Sequence, residues 1–421
     1  MSPVTAAPQS CSSPREQLRR DNLRVTMTAS VRIPSPRAHT IQILRNCEAL
    51  AAAGAQVRLV LPRLERPVPD EEVWSTYGVE HPFPIVRLRH LDFQGQVPSV
   101  LEPLAFRLRA WTFALAALGP ISRCDGVVHS RDLLDLFLAL VMRAGGPARH
   151  FFLEVHDLPE ALSPVLDWCL PRIGGAVVIT DCLRQRLLRR GIDPRRVLVA
   201  PDGVKLEPFA SAGDGSDFRR DLDLPMGARL VMYCGSLHYG WKGVDLLPAT
   251  LETVGRDAIG VVVGGPEDVA RDLQAGLSVQ RRARMRFATA VPPLQVPRVL
   301  AAASVLVLPT RSWSPYGREF SSPMKLFEYM ASGRPIVASD LPAIREVLAN
   351  ERNALLVAPD DPAVLAAAIA RLLDDPELAH RLSSRAREDV ERYTWNRRAA
   401  SMLTFYETAR SLEQTRVGRS G

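Results

Sequence analysis

Lysine is almost missing from this 421-residue chain. Of its 53 basic side chains only three are lysine (Lys205, Lys242 and Lys325), and the other fifty are arginine. A chain that writes nearly every solvated positive charge as arginine keeps lysine where a compact, strongly hydrated ammonium does something a planar guanidinium does not. Three leftover surface lysines are the plainer alternative. Other absences narrow the class. The six cysteines show no C-x-x-C pair and no metal-ligand spacing with histidine, so they read as reduced thiols rather than a disulfide framework. The first twenty residues lack the apolar core of a secretory signal, and no uninterrupted apolar run reaches the roughly eighteen residues of a membrane span. No G-x-G-x-x-G follows a predicted strand, which argues against a nicotinamide or flavin dehydrogenase, and the absence of G-x-x-x-x-G-K-[ST] argues against a P-loop NTPase. The D-x-D pair at Asp221 and Asp223 lies in a charged connector rather than at a strand end, so no metal site is expected.

What is present describes a globular enzyme. Hydrophobic residues make up 47% and charged residues 24%, enough for two cores at roughly 150 residues per domain. The net charge of +7 raises nucleic acid and anionic membrane as partners. The arginines are scattered, however, with no RNA-binding aromatic signature and no dense basic tail, so no nucleic-acid partner is expected.

Residues 1–21 are rich in proline, serine and arginine and read as a disordered tail. A first series of strand-like runs follows at 23–30, 57–62, 83–89, 126–130, 150–155, 175–180 and 196–201. After a Gly/Asp/Ser-rich stretch at 211–217, a second series lies at 229–235, 259–265, 284–289, 304–309, 335–339 and 353–359. Helical patterns separate most of them, which predicts an α/β protein with mainly parallel sheets. The expected division is a first domain over 22–205, a second over 206–394, and a terminal helix with a frayed tail over 395–421. The apolar stretch 97–120 carries Arg107 and Arg109. It suits an ordinary helix packed on the first domain, with a membrane-interface helix as the alternative.

Two loops carry the chemistry. In SSPMKLFEYMASG (321–333), Ser322 is expected to cap a helix with Pro323 in its first position, placing Lys325 and Glu328 on one face of the first turns. In GSLHYGWKG (235–243), glycines allow close backbone approach and Lys242 stands where the next helix should begin. Both loops follow strands of one domain, so both lysines can face one crevice, and a diphosphate is the simplest shared ligand. Glu328, one turn deeper, suits sugar hydroxyls.

These runs, together with VAPDGVKLEPF (199–209), YTWNRRA (393–399) and the opening 30–62, resemble glycosyltransferase family 4 over nearly all of 22–412. The resemblance implies a GT-B architecture: two Rossmann-like domains facing a cleft, with donor in the second and acceptor in the first. It implies retaining, metal-independent transfer from a UDP- or GDP-sugar, with no tightly bound cofactor, to a glycan or lipid-linked acceptor. Lys242 would contact the donor phosphates, and Glu328, the second glutamate of an E-x7-E motif, the donor ribose. Gly235, Ser236, Ser322, Pro323, Met324 and Lys325 would line the donor, and His156 would reach the transferred sugar. Two departures stand out. Phe320 occupies the first glutamate's position with Glu319 beside it as a substitute, and Ser236 replaces an arginine for which Arg311 or Arg318 would compensate. Arg37 and His39 open the first long helix and are expected in the cleft. A nucleotide-sugar epimerase or hydrolase, or a silent donor-binding subunit, are the competing functions. The expected location is the cytoplasm, with peripheral attachment to the inner membrane face as a variant.

Overall fold

The computed structural model describes residues 23–417, except 36, 144–147, 159, 226, 239 and 256. The expected tail at 1–21 lies outside the described residues.

Seven parallel strands form the first sheet: β1 (Arg24–Thr28), β2 (Gln56–Pro62), β3 (Ile85–Leu88), β4 (Val127–Ser130), β5 (Ala148–Val155), β6 (Ile173–Val178) and β7 (Val197–Val199), in the order β3-β2-β1-β4-β5-β6-β7. Six more form the second: β8 (Arg229–Cys234), β9 (Ala258–Val263), β10 (Met285–Ala288), β11 (Val305–Leu308), β12 (Ile336–Ser339) and β13 (Leu355–Val357), in the order β10-β9-β8-β11-β12-β13. Every strand coincides with a run expected from the sequence. In both sheets the order reverses beside the first strand, between β1 and β4 and between β8 and β11. Loops leaving the carboxyl ends there diverge and open a crevice, the usual ligand position in such sheets.

Each sheet is covered on both faces. One side of the first sheet packs Val25, Met27 and Leu59 against helix α1 (Ala38–Ala52), and the other packs Val128, Leu153 and Val178. The second sheet is flanked in the same way by clusters around Phe327 and Ile369. The cover of the first sheet includes a distant piece of chain: α4 (Trp395–Val417) places Trp395, Ala399, Met402, Leu403 and Tyr406 in the core with β1 and α1.

Helix α2 (Glu102–Ser122) corrects one expectation. It continues through Gly119-Pro120, and Ser99–Ser122 is long and apolar enough to cross a membrane by length and composition. It turns Ala105, Arg109, Phe113, Ala117 and Ile121 inward and leaves Leu104, Leu108, Trp111 and Leu115 exposed. The five described cysteines are all free.

The domains also hold each other directly. Phe320 of the second domain is buried in the first domain's core, and the Glu346 carboxylate accepts the backbone N–H groups of Asp181 (2.7 Å) and Cys182 (3.1 Å) at the start of helix Asp181–Arg189. Leu403→Ala should cost about 2–5 kcal/mol, because it leaves a cavity in a fully buried interface. Leu115→Ala, on the exposed face of α2, should change stability by under about 0.5 kcal/mol. Urea denaturation of the two variants checks the contrast.

Candidate active site

The first crevice wall is built by helix α3 (Met324–Ala331) and the end of β8. Tyr329, buried on α3, accepts a hydrogen bond from the Cys234 N–H (2.8 Å) and donates to the Cys234 carbonyl (3.1 Å). This pair of hydrogen bonds ties α3 to the end of β8, beside the Gly235 loop. Lys325 consequently reaches back across the loop: its ammonium donates to the Tyr233 hydroxyl and lies 4.0 Å from that ring's centre. Tyr233 passes the chain on to the Ser236 carbonyl (3.0 Å). A Cβ at Gly235 would collide with the Lys325 ammonium, and its φ of 149° is one that residues with a side chain rarely adopt. The backbone conformation therefore favours glycine at 235, whereas the flexible end of Lys325 is the only group that an added Cβ would displace.

Lys242 converges on the same place. Burial lowers the Lys325 pKa well below the usual lysine range, and the charge of Lys242 lowers it further. Burial brings Lys242 itself down to about 8. Glu328, one turn along α3, is pushed up to about 7 by burial, against the pull of Lys325 and Arg45. Burial disfavours the charged form of all three groups, and a dianion at this loop would favour the protonated form of both lysines.

Local structure differs from expectation in two respects. Ser322 does not cap α3: its hydroxyl accepts the Asp202 N–H (3.3 Å) from the first domain's side, and Pro323 holds the N-cap position with no side-chain cap. Lys242 does not begin a long helix. It ends a single turn, Gly240–Lys242, after which Gly243 turns left-handed (φ 71°), and a Cβ there would strike the Pro309 carbonyl, so the position requires glycine.

The region of the E-x7-E departure is occupied otherwise. The wide helical turn Tyr316–Phe320 directs Phe320 into the first domain, where the Arg186 guanidinium lies 4.8 Å from its ring. Glu319 bridges Arg186 (2.5 Å) and Arg318 (2.7 Å). Burial would raise its pKa, but these two guanidiniums lower it. The structure thus brings Lys242, Lys325 and Glu328 together and turns Glu319 to an ion pair between domains. Arg311, a candidate to stand in at Ser236, is bonded to Asp245 and lies 3.5 Å from Asp360. Asp221 of the D-x-D pair lies 3.4 Å from Arg298 in the exposed connector.

On the first domain, His156 stands just beyond the carboxyl end of β5. Its Nε2 donates to Glu154 (2.8 Å), and burial, reinforced by Arg131, lowers its pKa to about 4, so the imidazole is neutral. His39, near the start of α1, is lowered to about 4 by burial and then by Arg131, Arg37 and His156, which places it in the same cluster. Arg37, exposed, supplies the N-cap of α1.

Glu154 is the functional-site residue that the sequence reading missed. Its carboxylate accepts from His129 (2.7 Å), His156 (2.8 Å), Gln42 (2.5 Å), Asn46 (3.2 Å) and Arg398 of α4 (2.8 Å). Burial alone would raise its pKa, yet Arg398 and the two histidines hold it well below the usual carboxylate range. The available signal was its position two residues before His156, on the same face of an extended segment. Lys205 is also a tether: it bonds Glu48 (2.8 Å), Glu80 (3.2 Å) and the Gly78 carbonyl (3.3 Å).

Two doubly wound parallel-sheet domains meeting at such a crevice define the GT-B class of sugar transferases. Residues 40–208 match the family described as Glycosyltransferase Family 4, and residues 228–375 match Glycosyl transferases group 1. The chain is 30% identical to the D-inositol 3-phosphate glycosyltransferase of Xylanimonas cellulosilytica, over 88% of this chain and 91% of that protein. It is 25% identical to the phosphatidyl-myo-inositol mannosyltransferase of Mycobacterium leprae, over 92% and 97%. Matches to two Corynebacterium proteins with the first of these names span about half of their length. Among solved structures, the sucrose-phosphate synthase of Thermosynechococcus elongatus aligns with a TM-score of 0.72 at 21% identity, covering 93% of this chain and all of that one. The Anabaena protein HepE in complex with UDP-glucose aligns with a TM-score of 0.68 at 16% identity, covering 91% and 99%. The chain belongs to glycosyltransferase family 4, and it is a glycosyltransferase of GT-B fold.

Glu154→Gln should destabilise the protein by about 3–5 kcal/mol, because it leaves Arg398 buried without its carboxylate. Denaturant titration of the variant against the parent checks this.

Proposed function

We propose that the protein is a retaining glycosyltransferase that uses a nucleoside-diphosphate sugar, with a UDP- or GDP-sugar as the donor class, and needs no metal. The observation that carries this reading is the convergence of Lys242 and Lys325 on the Gly235 loop, with Glu328 one turn deeper. The two ammoniums neutralise charge as it develops on the departing diphosphate, in a site already shielded from water. Glu328 accepts from the ribose hydroxyls, and neutral His156, held by Glu154, meets a hydroxyl of the transferred sugar. In the step itself the bond from the anomeric carbon to the diphosphate oxygen breaks. The acceptor oxygen bonds to that carbon on the same face, and its proton passes to the departing diphosphate. That HepE was solved with UDP-glucose supports the donor class. The name of the Mycobacterium leprae relative, a phosphatidyl-myo-inositol mannosyltransferase, supports a lipid-linked acceptor, whereas that of the Xylanimonas cellulosilytica relative points to a soluble inositol phosphate. The exposed apolar face of α2 supports peripheral attachment at the cytoplasmic face of a membrane. Donor-lining roles fall to Gly235, Ser236, Ser322, Pro323 and Met324.

A silent donor-binding subunit is favoured by one observation, the commitment of Glu319 to Arg186 and of Phe320 to the first domain's core. Turnover separates the two. Lys242→Ala and Glu328→Ala should each weaken UDP binding about tenfold or more and lower transfer at least a hundredfold, measured by calorimetry and by donor consumption with acceptor extract. Donor binding without turnover in the parent protein would establish the silent reading.

UDP affinity should also depend on pH in a bell. Above about 8 Lys242 loses its proton and its attraction for the diphosphate, and below about 7 Glu328 gains a proton and ceases to accept from ribose. Binding near pH 8 should accordingly take up protons. Titrations from pH 6 to 9.5, in buffers of differing ionisation enthalpy, test both limbs, and a flat profile would remove Lys242 and Glu328 from the donor site.

A further inference from the structure

A second cavity, of about 560 Å3, opens on the first domain, away from the lysine loops. Arg32 beyond β1, Arg63 after β2, and Arg89 and His90 after β3 form its walls, all at carboxyl ends of strands in the first sheet. Arg32 is spent on Asp92 (3.1 and 2.7 Å), and Glu65, the other carboxylate in the wall, accepts from Gln96 (2.9 Å). Among the described residues, Arg63 and Arg89 form no ion pair. His90 is the more telling group. Its side chain is 2% exposed, yet neither ring nitrogen makes a hydrogen bond of good geometry: the Asp92 carboxylate stands 3.7 Å from Nε2, and the Leu88 backbone is the other polar neighbour. Burial lowers its pKa, so the ring is neutral, with one nitrogen to donate and one to accept. Behind the wall Arg109 is buried with an unpartnered Nε, and burial and then the charges of Arg32 and Arg37 lower its pKa against the pull of Asp92.

Two exposed guanidiniums outside any ion pair, beside a buried imidazole without a well-formed hydrogen bond, suit an anion with several acceptor oxygens and a polar body. Resting on the glycosyltransferase reading, we propose that this cavity holds the phosphate group of the sugar acceptor. Arg63 and Arg89 grip the phosphate oxygens, and His90 bonds either a remaining oxygen or a neighbouring hydroxyl. The phosphate can come from a soluble polyol phosphate or from a lipid headgroup. The surroundings suit a headgroup: Leu91 and Phe93 in the cavity's loop are exposed, and the Leu91 N–H donates to Thr112 (3.1 Å) while the Gly95 N–H donates to Glu102 (2.7 Å). The loop is thereby fastened to α2, whose outer face is apolar.

The test uses the full chain, with inorganic phosphate and glycerol 3-phosphate as soluble probes and phosphatidylglycerol–phosphatidylcholine vesicles against pure phosphatidylcholine vesicles as the lipid arm. The double variant Arg63→Ala/Arg89→Ala should bind whichever probe the parent binds about tenfold or more weakly. Arg63→Lys/Arg89→Lys should retain most of the binding. UDP affinity should be unchanged in both variants, which shows that they fold and keeps this result separate from failure of the donor site. Binding of glycerol 3-phosphate identifies a soluble acceptor, and vesicle binding that only the double alanine variant loses identifies a headgroup; either supports the proposal. It is overturned if parent and variant bind the probes equally, if the parent binds none of them, or if acetate competes with phosphate at equal concentration.

Discussion

The buried carboxylate of Glu154 is the point on which the rest depends. It stands at the end of β5, where five donors from three separate parts of the chain meet it: α1, the first sheet, and α4. An isolated charge at this depth would be intolerable, so each donor is obligatory rather than decorative. The same carboxylate sets the His156 tautomer by accepting the Nε2–H, and His129, whose Nε2 also donates to it, has its Nδ1 2.7 Å from the Tyr406 hydroxyl on the other side. A single ion pair, Arg398 with Glu154, therefore joins the closure of α4 to the orientation of His156 beyond β5.

The arginine-dominated composition has a physical use in this fold. Many guanidiniums collect backbone carbonyls that helix and strand ends leave open: Arg196 bonds the Leu170 and Gly174 carbonyls (2.8 and 3.3 Å), and Arg45 bonds those of Tyr77 and Gly78 (2.7 and 2.8 Å). A planar fork with five donors does this where an ammonium cannot. Each lysine sits in a more confined place. Lys325 fits between a tyrosine ring and a bare glycine, and Lys205 gathers acceptors from α1 and from the loop after helix Asp70–Tyr77.

The fold was legible because its strands are parallel and covered on both faces. Such strands read as continuous apolar runs between turn signals, and VLVLP or IGVVVGG leaves little choice. Scarcity of lysine pointed to Lys242 and Lys325. What periodicity could not resolve was set by partners far away in sequence. Ser322 is drawn to Asp202, Glu319 to Arg186, and Glu154 gathers Arg398 from 244 residues away. Phe320 looked like a missing carboxylate; in the structure it is an apolar plug between domains. The cluster of Arg32, Arg63, Arg89 and His90 exists only because three neighbouring strands end together. Helix α2 escaped notice as a candidate span because Gly119-Pro120 reads as a break, although the backbone continues through it.

The return of α4 to the first domain has a consequence for synthesis. Tyr406, Leu403 and Trp395 belong to the core that β1 and α1 begin, so a chain emerging from the ribosome carries that core unfinished while the whole second domain is made. The domain whose residues come first is the last to be completed, reversing the usual order of folding during translation. For as long as that takes, the surface later covered by α4 is bare, and the nascent chain needs protection there.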